Sequence, residues 1–554
     1  MELSEEITSP LSNVQSPKNV STRNSENGLA PQNLSATREV DEGEVPNSNP
    51  VSGTRLRLTL LALSFVVILG GMDFSIIGVA VPAITQQFHT ISDVGWYNVA
   101  YRLTACSFQF TWGQLYSHFS VRITFLGAIV IFLLGSILSA AATSSAMFVA
   151  GRAITGIGSG GILGGTFTAL MVVAPLRLRP VLISFLTGLE AVAIIAAPIL
   201  GGALTEVSWR WCFYINLPIG GLVLASLAIF LPDSRSNSTN ETLSWKKLFH
   251  KVDATGNFFF IISVTCLFLA LTWANTKYTW SSAAIIILLV VCAGCLAIFI
   301  YDQYKQGSSA SIPPRILMQR SVMAGALFSF CLNGALGVLQ YYIPIYYQSV
   351  LGYSALKSGY MMLPVTIGFN IALIIQGIFT VILGYYTPFM LMSSILMPVG
   401  AGLLTTWTIT TDLSRHIIYS GIFGFACGLA FEIPQIAVQT VLEEDDGPLG
   451  LSITLFAQNF GGALFISVAQ QVFTSELLSN LQGSIPGVNA TTIEALGFTD
   501  LHSDPLGDNS PEIIAGLENA FIRIWDIGLV LSCITILGSL AMEWRSVKKE
   551  SKVN

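Results

Sequence analysis

Charge is what this 554-residue chain has least of. Lys, Arg, Asp and Glu together make up 10% of it, against 52% hydrophobic residues. A soluble domain carries about 25% charged residues, so this balance excludes an ordinary soluble globular chain. It also leaves no basic face for nucleic acid. There are five His and eight Cys, and the cysteines (106, 212, 266, 292, 295, 331, 427 and 533) fall mostly inside apolar runs, without mixed Cys/His ligand spacing. They read as core thiols, and no metal or cofactor is expected. No Gly-rich phosphate loop ending in Lys-Ser or Lys-Thr occurs, so ATP is not the evident energy source. No GxSxG elbow or HExxH helix occurs either, and the chain is expected not to be an enzyme.

What the chain has in quantity is long apolar sequence, with a mean hydropathy of +0.66. Residues 1–54, rich in Ser, Asn, Pro and Glu, lack an apolar period and read as a disordered cytosolic tail without the pattern of a cleaved signal peptide. From Leu58 onward, runs of roughly 19 to 27 residues recur, each long enough for a bilayer core about 30 Å thick. Fourteen such runs are expected as helices, because lipid satisfies no backbone hydrogen bond. Nineteen of the 26 Lys and Arg residues fall on the side that holds both termini if the tail is cytosolic, so the positive-inside rule places both ends there. The hydrophilic stretch 475–520 then lies outside, with Asn489-Ala-Thr491 as a glycosylation acceptor. Asn19, Asn33, Asn237 and Asn240 have the same pattern but face the cytosol.

A charge in the middle of a spanning helix costs about 2.5–3.5 kcal/mol on insertion scales, so each one asks for a partner or a water-lined path. Counted at 1.5 Å per residue, Asp73 in the first span, Arg152 in the fourth and Arg102 in the second lie at depths of about 12, 8 and 9 Å. They are candidates for a shared role in transport, or for a buried structural ion pair. Glu190 in the fifth span and Glu432 in the twelfth are candidates to carry a proton, the alternative being a carboxyl held neutral by its neighbours. Among uncharged groups, Asn333, Gln340, Tyr341, Gln376, Gln439, Gln458 and Asn459 either meet a substrate or join helices to one another. Gly156, Gly158, Gly160, Gly161, Gly164 and Gly165 make the fourth helix smooth enough for close crossing. Pro198, Gly201 and Gly202 allow packing and a bend in the fifth.

With these residues in view, the chain resembles the major facilitator superfamily, and within it the fourteen-span drug:proton antiporter branch. The first-span signature is similar to Met72-Asp73 through Pro82, the fourth-span one to Arg152-Ala-Ile-Thr-Gly156-Ile-Gly158, and the antiporter signature to Ala197-Pro198-Ile-Leu-Gly201-Gly202. Trp209 through Gly220, Tyr341 through Gln348 and Gln435 through Leu442 resemble fungal toxin and secondary-metabolite efflux pumps. Two departures stand out. Ser117 occupies the acidic position of the loop between the second and third spans, and Ser184, Ala193 and Ala197 replace glycines of the antiporter motif.

The resemblance implies an all-α membrane protein with the major facilitator fold, two six-helix bundles plus a two-helix insert. The expected boundaries are 55–231 for the first bundle, 232–321 for the linker with its two extra spans, 322–544 for the second bundle and 545–554 for a cytosolic tail. The implied function is proton-coupled export of a hydrophobic or amphipathic small molecule from a monomer in the plasma membrane, with the vacuolar membrane as the other location. Asp73, Glu190 and Glu432 are then the proton-coupling candidates and Arg102 and Arg152 their charge partners. Asn333, Gln340, Tyr341, Gln376, Gln458 and Asn459 are the candidates to line the substrate cavity. Uptake of a nutrient or iron chelate, and a non-transporting sensor, are the alternatives.

Overall fold

Lipid offers the backbone no hydrogen bonds, and each apolar run satisfies its own by coiling into a helix. The computed structural model describes residues 53–88, 94–233, 253–274, 278–307, 310–353, 355–443, 445–482 and 510–547. The tail up to residue 52, Asn489 and the residues after 547 lie outside these. Thirteen helices among the described residues are long and apolar enough to cross a membrane. A further crossing, second in chain order, is divided into Val94–Ser107 and Gln109–His118, each too short to span alone. The division is a single residue. Phe108 N bonds Thr104 O at 3.1 Å and Trp112 N bonds Phe108 O at 3.0 Å, so the helical ladder continues through it and completes fourteen spans.

The first span (Gly53–Phe88) packs on the fifth (Arg179–Val207) and on the sixth, Trp211–Tyr214 continued by Asn216–Phe230. The third (Val121–Ala140) packs on the fourth (Ser145–Val173), which also carries the second, and these six form one bundle. The seventh (Ala254–Trp273) and eighth (Ala283–Gln306) pair with each other. The eighth presents Ile287 and Val290, 60% and 64% exposed, on its outer side. The second bundle is built on the ninth span (Arg320–Ser349), which carries the thirteenth (Gly447–Gln482) and fourteenth (Ser510–Ala541); the tenth (Leu363–Leu383) packs on the helix Leu413–Gly428, and the eleventh (Thr387–Leu404) on that helix and the fourteenth span. Helix starts carry their expected signals: Ser144, Asp253 and Ser282 each accept a backbone N–H of the first turn.

Two expectations need correction. The twelfth span, expected as one run at 417–442, is two helices, Leu413–Gly428 and Ile433–Val441, separated by Leu429–Glu432. Pro434 has no N–H to continue the ladder, and the chain breaks just ahead of it. The expected outer loop 475–520 is shorter than its polarity suggests, because the thirteenth span runs to Gln482 and the fourteenth begins at Ser510. The cysteines are free; Cys292 and Cys295, in a Cys-x-x-Cys spacing on the eighth span, are half-buried.

The halves meet where the fifth span packs on the tenth and the second on the thirteenth. The first and ninth spans make no extended contact among the described residues.

Candidate functional site

The fourth span is seated by what its glycines lack. A Cβ on Gly156 would fall on the carbonyl of Tyr101, one on Gly158 on the backbone of Phe132, and one on Gly161 on the Trp112 ring. Bare backbone at these positions lets the second span bond directly to fourth-span carbonyls. Thr104 Oγ1 donates to Ala153 O at 2.8 Å, Trp112 Nε1 to Ile157 O at 2.7 Å and Tyr116 Oη to Gly161 O at 2.7 Å. Three side chains eight and four residues apart thus grip three carbonyls four residues apart, which fixes the height of the two helices relative to each other.

That alignment places Arg152 opposite Asp73. Arg152 Nη1 lies 2.8 Å from Asp73 Oδ2, and both side chains are fully buried. Asn216 Nδ2 of the sixth span donates to Asp73 Oδ1 at 3.0 Å and lies 3.2 Å from Ser136 Oγ of the third. Arg152 Nε reaches Tyr97 O at 3.3 Å. The guanidinium sits 4.5 Å from the Tyr101 ring centroid and 5.8 Å from that of Phe213. Tyr101 is fixed in turn by its hydroxyl, 2.6 Å from Ser159 Oγ. Five spans therefore hold one ion pair under an aromatic cover. Removing charges from water costs several kcal/mol per ion, which these hydrogen bonds offset.

Arg102, at the similar depth expected for it, is not part of this pair. Its guanidinium lies over the Phe74 ring, 4.2 Å from the centroid, and within electrostatic reach of Tyr341 on the ninth span.

A second polar group lies between the bundles. Glu432, 1% exposed, sits at the break in the twelfth span. Its Oε1 accepts from Thr187 Oγ1 of the fifth span at 2.8 Å, while Oε2 has no partner among the described residues. Glu190, on the same fifth span, packs its Cγ against Gly71 of the first and lies within electrostatic reach of both Tyr101 and Glu432. Discontinuous helices with polar groups at their broken ends are where transporters of repeat-built folds bind ions and substrates.

Below this group the halves are joined. Ser184 Oγ of the fifth span donates to Gln376 Oε1 of the tenth at 3.2 Å, and Gln376 Nε2 donates to Thr380 Oγ1 at 3.1 Å. Gln114 Nε2 of the second span donates to Ala310 O at 2.5 Å. Ser117, where an acidic residue was expected from the resemblance, donates its hydroxyl to Asp445 O at 3.3 Å. Arg315 makes two bonds of 2.7 Å to the carboxylate of Asp446. These bonds raise the Arg315 pKa above its ordinary value. The segment that supplies Ala310 and Arg315 is organised by Asp253. Its carboxylate accepts from Gly256 N, Gln303 Nε2, Gln306 Nε2 and Ser311 N at 2.9, 2.6, 2.7 and 3.1 Å.

The other amides divide. Gln376 belongs to the joined end, Gln458 Oε1 accepts from Gln435 Nε2 at 2.6 Å, and Asn333 Nδ2 bonds Ser329 O of its own helix at 3.1 Å. Gln439 is buried with both amide atoms unpartnered among the described residues. Gln340 and Asn459 are exposed and Tyr341 is 45% exposed. Gly201 would place a Cβ against Ile76 of the first span; Gly202 is half-buried beside it. Pro198 lies within the continuous helix Arg179–Val207, its side chain outside what is described. Reading the sequence alone missed Asn216, Thr187 and Tyr101 as site residues, and took Ser184 only as a departure from the antiporter motif. Asn216 had a signal, an amide at the start of an apolar run; single hydroxyls and phenols in spans are too common to carry one.

Residues 63–466 match the model of the Major Facilitator Superfamily. The MFS-type efflux pump MFS1 of Arthroderma benhamiae is 40% identical over 505 residues, which cover 90% of this chain and 93% of that protein. The efflux pump roqT of Penicillium rubens is 37% identical over 517 residues, covering 91% and 96%. Among solved structures, a double-tryptophan mutant of XylE is similar with a TM-score of 0.58 at 14% identity, over 89% of this chain and 97% of its own; XylE is elsewhere described as a proton:xylose symporter. At that identity the likeness is one of fold.

Proposed function

This chain belongs to the major facilitator superfamily, and from that premise we propose that it is a proton-coupled exporter of a hydrophobic or amphipathic small molecule, of the secondary-metabolite kind. The relatives named as efflux pumps support the direction. The observation that carries the coupling is the set of intramembrane carboxylates: Asp73 paired with Arg152 inside one bundle, and, between the two, Glu432 bonded to Thr187 with Glu190 within electrostatic reach of it. On this reading no chemical bond of the substrate changes and no ATP is used, and the protein works as a monomer in the plasma membrane with both termini cytosolic. The bundles span 55–231 and 322–544, with the linker and its two spans at 232–321.

With the termini inside, the joined end carrying Arg315 and Ser117 faces the cytosol, and the conformation is outward-open. A proton entering from outside neutralises a carboxylate at the bundle interface and weakens the Thr187–Glu432 contact. The halves then part at the cytosolic end, the proton leaves, and substrate enters. Return to the outward state releases the substrate, each half moving largely as a rigid body around the site.

The test is flux in vesicles reconstituted with the full chain, using a panel of amphipathic metabolites with and without a protonophore. Export that collapses with the gradient, and loses its gradient dependence in Asp73→Asn, Glu190→Gln or Glu432→Gln, is expected. Flux that ignores the protonophore in the parent protein would sink the antiport reading.

A further inference from the structure

Arg102 is a cation that the bundle does not neutralise. It lies in the second span, yet among the described residues it forms no ion pair. The groups in electrostatic reach of its guanidinium are two phenols, Tyr101 and Tyr341, rather than a carboxylate. The nearby Arg152 shows what the fold does with a cation it means to bury: it supplies Asp73 at 2.8 Å and excludes solvent completely. Arg102 is only half-buried. Its guanidinium carbon lies over the Phe74 ring, 4.2 Å from the centroid, a contact that stabilises the charge without using any of its five N–H donors.

The other bundle supplies a ring close enough to act on this charge. Tyr341, on the ninth span, is 45% exposed although that span is packed on three neighbours, and it lies within electrostatic reach of Arg102; the first and ninth spans make no extended contact among the described residues. A fixed guanidinium with free edges matches a pair of oxygens sharing a negative charge, and flanking aromatic rings match a flat apolar body.

We propose that Arg102 is the substrate-recognition cation of this transporter, and that the molecule it takes is a planar aromatic acid whose carboxylate, phenolate or enolate oxygens bind the guanidinium while its rings lie between Phe74 and Tyr341. The inference rests on the transport reading above and names its substrate class. Phe74 and Arg102 come from one bundle and Tyr341 from the other, so such a ligand bridges the halves that move.

The test is equilibrium binding by the full-length protein in lipid nanodiscs, without a proton gradient, of two fluorescent probes of matched shape, 1-pyrenebutyric acid and 1-pyrenebutanol. The parent protein binds the acid about tenfold or more tightly than the alcohol, as a charge-assisted bidentate contact implies. In Arg102→Gln the ratio of the two affinities falls to about one, and Arg102→Lys, a point charge without the fork, keeps part of it. Melting temperatures of both variants within a few degrees of the parent's accompany this result, because the charge is not part of an ion pair. A ratio near one in the parent protein, undetectable binding of the acid, or an unchanged ratio in Arg102→Gln would overturn the inference. The two readings fail separately: acid preference with flux that ignores a protonophore rejects antiport alone, and gradient-driven flux with no acid preference rejects the role of Arg102 alone.

Discussion

Three charged side chains stand at similar depth in the first four spans, and their fates differ because depth is only one of the coordinates that decide contact. Asp73 and Arg152 face each other within the bundle, whereas Arg102 is turned about its helix axis toward Phe74. For the buried pair, removing one member is expected to be worse than removing both. Asp73→Ala leaves Arg152 charged among Tyr97, Tyr101 and Phe213, which costs about 3–5 kcal/mol, while Asp73→Leu combined with Arg152→Met recovers most of that. Thermal melting of the purified single and double variants measures it, and a double variant no more stable than the single one would mean that the pair is not what holds this site. The charges themselves were legible in the sequence, since an ionised residue in an apolar run is conspicuous. Their neutral partners were not. Thr187 and Tyr101 are ordinary residues in spans, Asn216 is an amide whose partner its position does not name, and only the packing of helices far apart in sequence tells which of them meet a charge.

Among the elements, the fourth span depends on a feature that sequence displays openly, its glycines. The position of each decides its weight. Gly156→Ala drives a methyl into the Tyr101 carbonyl and is expected to destabilise the protein by about 1–3 kcal/mol, as overpacking does. Gly127→Ala on the third span meets nothing within 4 Å and is expected to be neutral or slightly stabilising through helix propensity. Yield and melting temperature of the two variants side by side give the comparison; equal behaviour would show that the fourth span is free to shift. Span count and order were readable from hydropathy, because bilayer thickness fixes the length of an apolar run. The interruptions were less so. The break at Leu429–Glu432 is signalled by Pro434, but a proline is also tolerated inside intact helices such as Arg320–Ser349, which continues through Pro344. The one-residue division at Phe108 has no proline or glycine to announce it.

At the scale of the whole molecule, the fifth and tenth spans close one end of the path. Ser184 and Gly377 face each other so closely that a Cβ on Gly377 would stand 2.9 Å from the Cβ of Ser184. Disulfide geometry asks for about 3.8 Å, a small adjustment. The double variant Ser184→Cys, Gly377→Cys is therefore expected to cross-link under mild oxidant and arrest flux, with recovery on adding reductant. Cross-linked protein that still transports at the parent rate would show that this end need not open. Ser184 stood out only as a departure from the antiporter motif and Gly377 not at all, since a serine and a glycine in apolar runs read first as packing residues.

The joined end has a further consequence, for biosynthesis. Gln114 donates to the carbonyl of Ala310, 196 positions later in the chain. At about 5–20 residues per second of translation, that acceptor emerges roughly 10–40 s after the glutamine. Through this interval the amide of the second span is without its final acceptor, whose segment is held in the finished protein by the bonds of Asp253 to Gln303, Gln306 and Ser311. The nascent first bundle is thus left to wait for the hairpin that follows it, and the ribosome's pace sets how long a half-made protein is exposed to lipid and quality-control machinery before its two halves can dock.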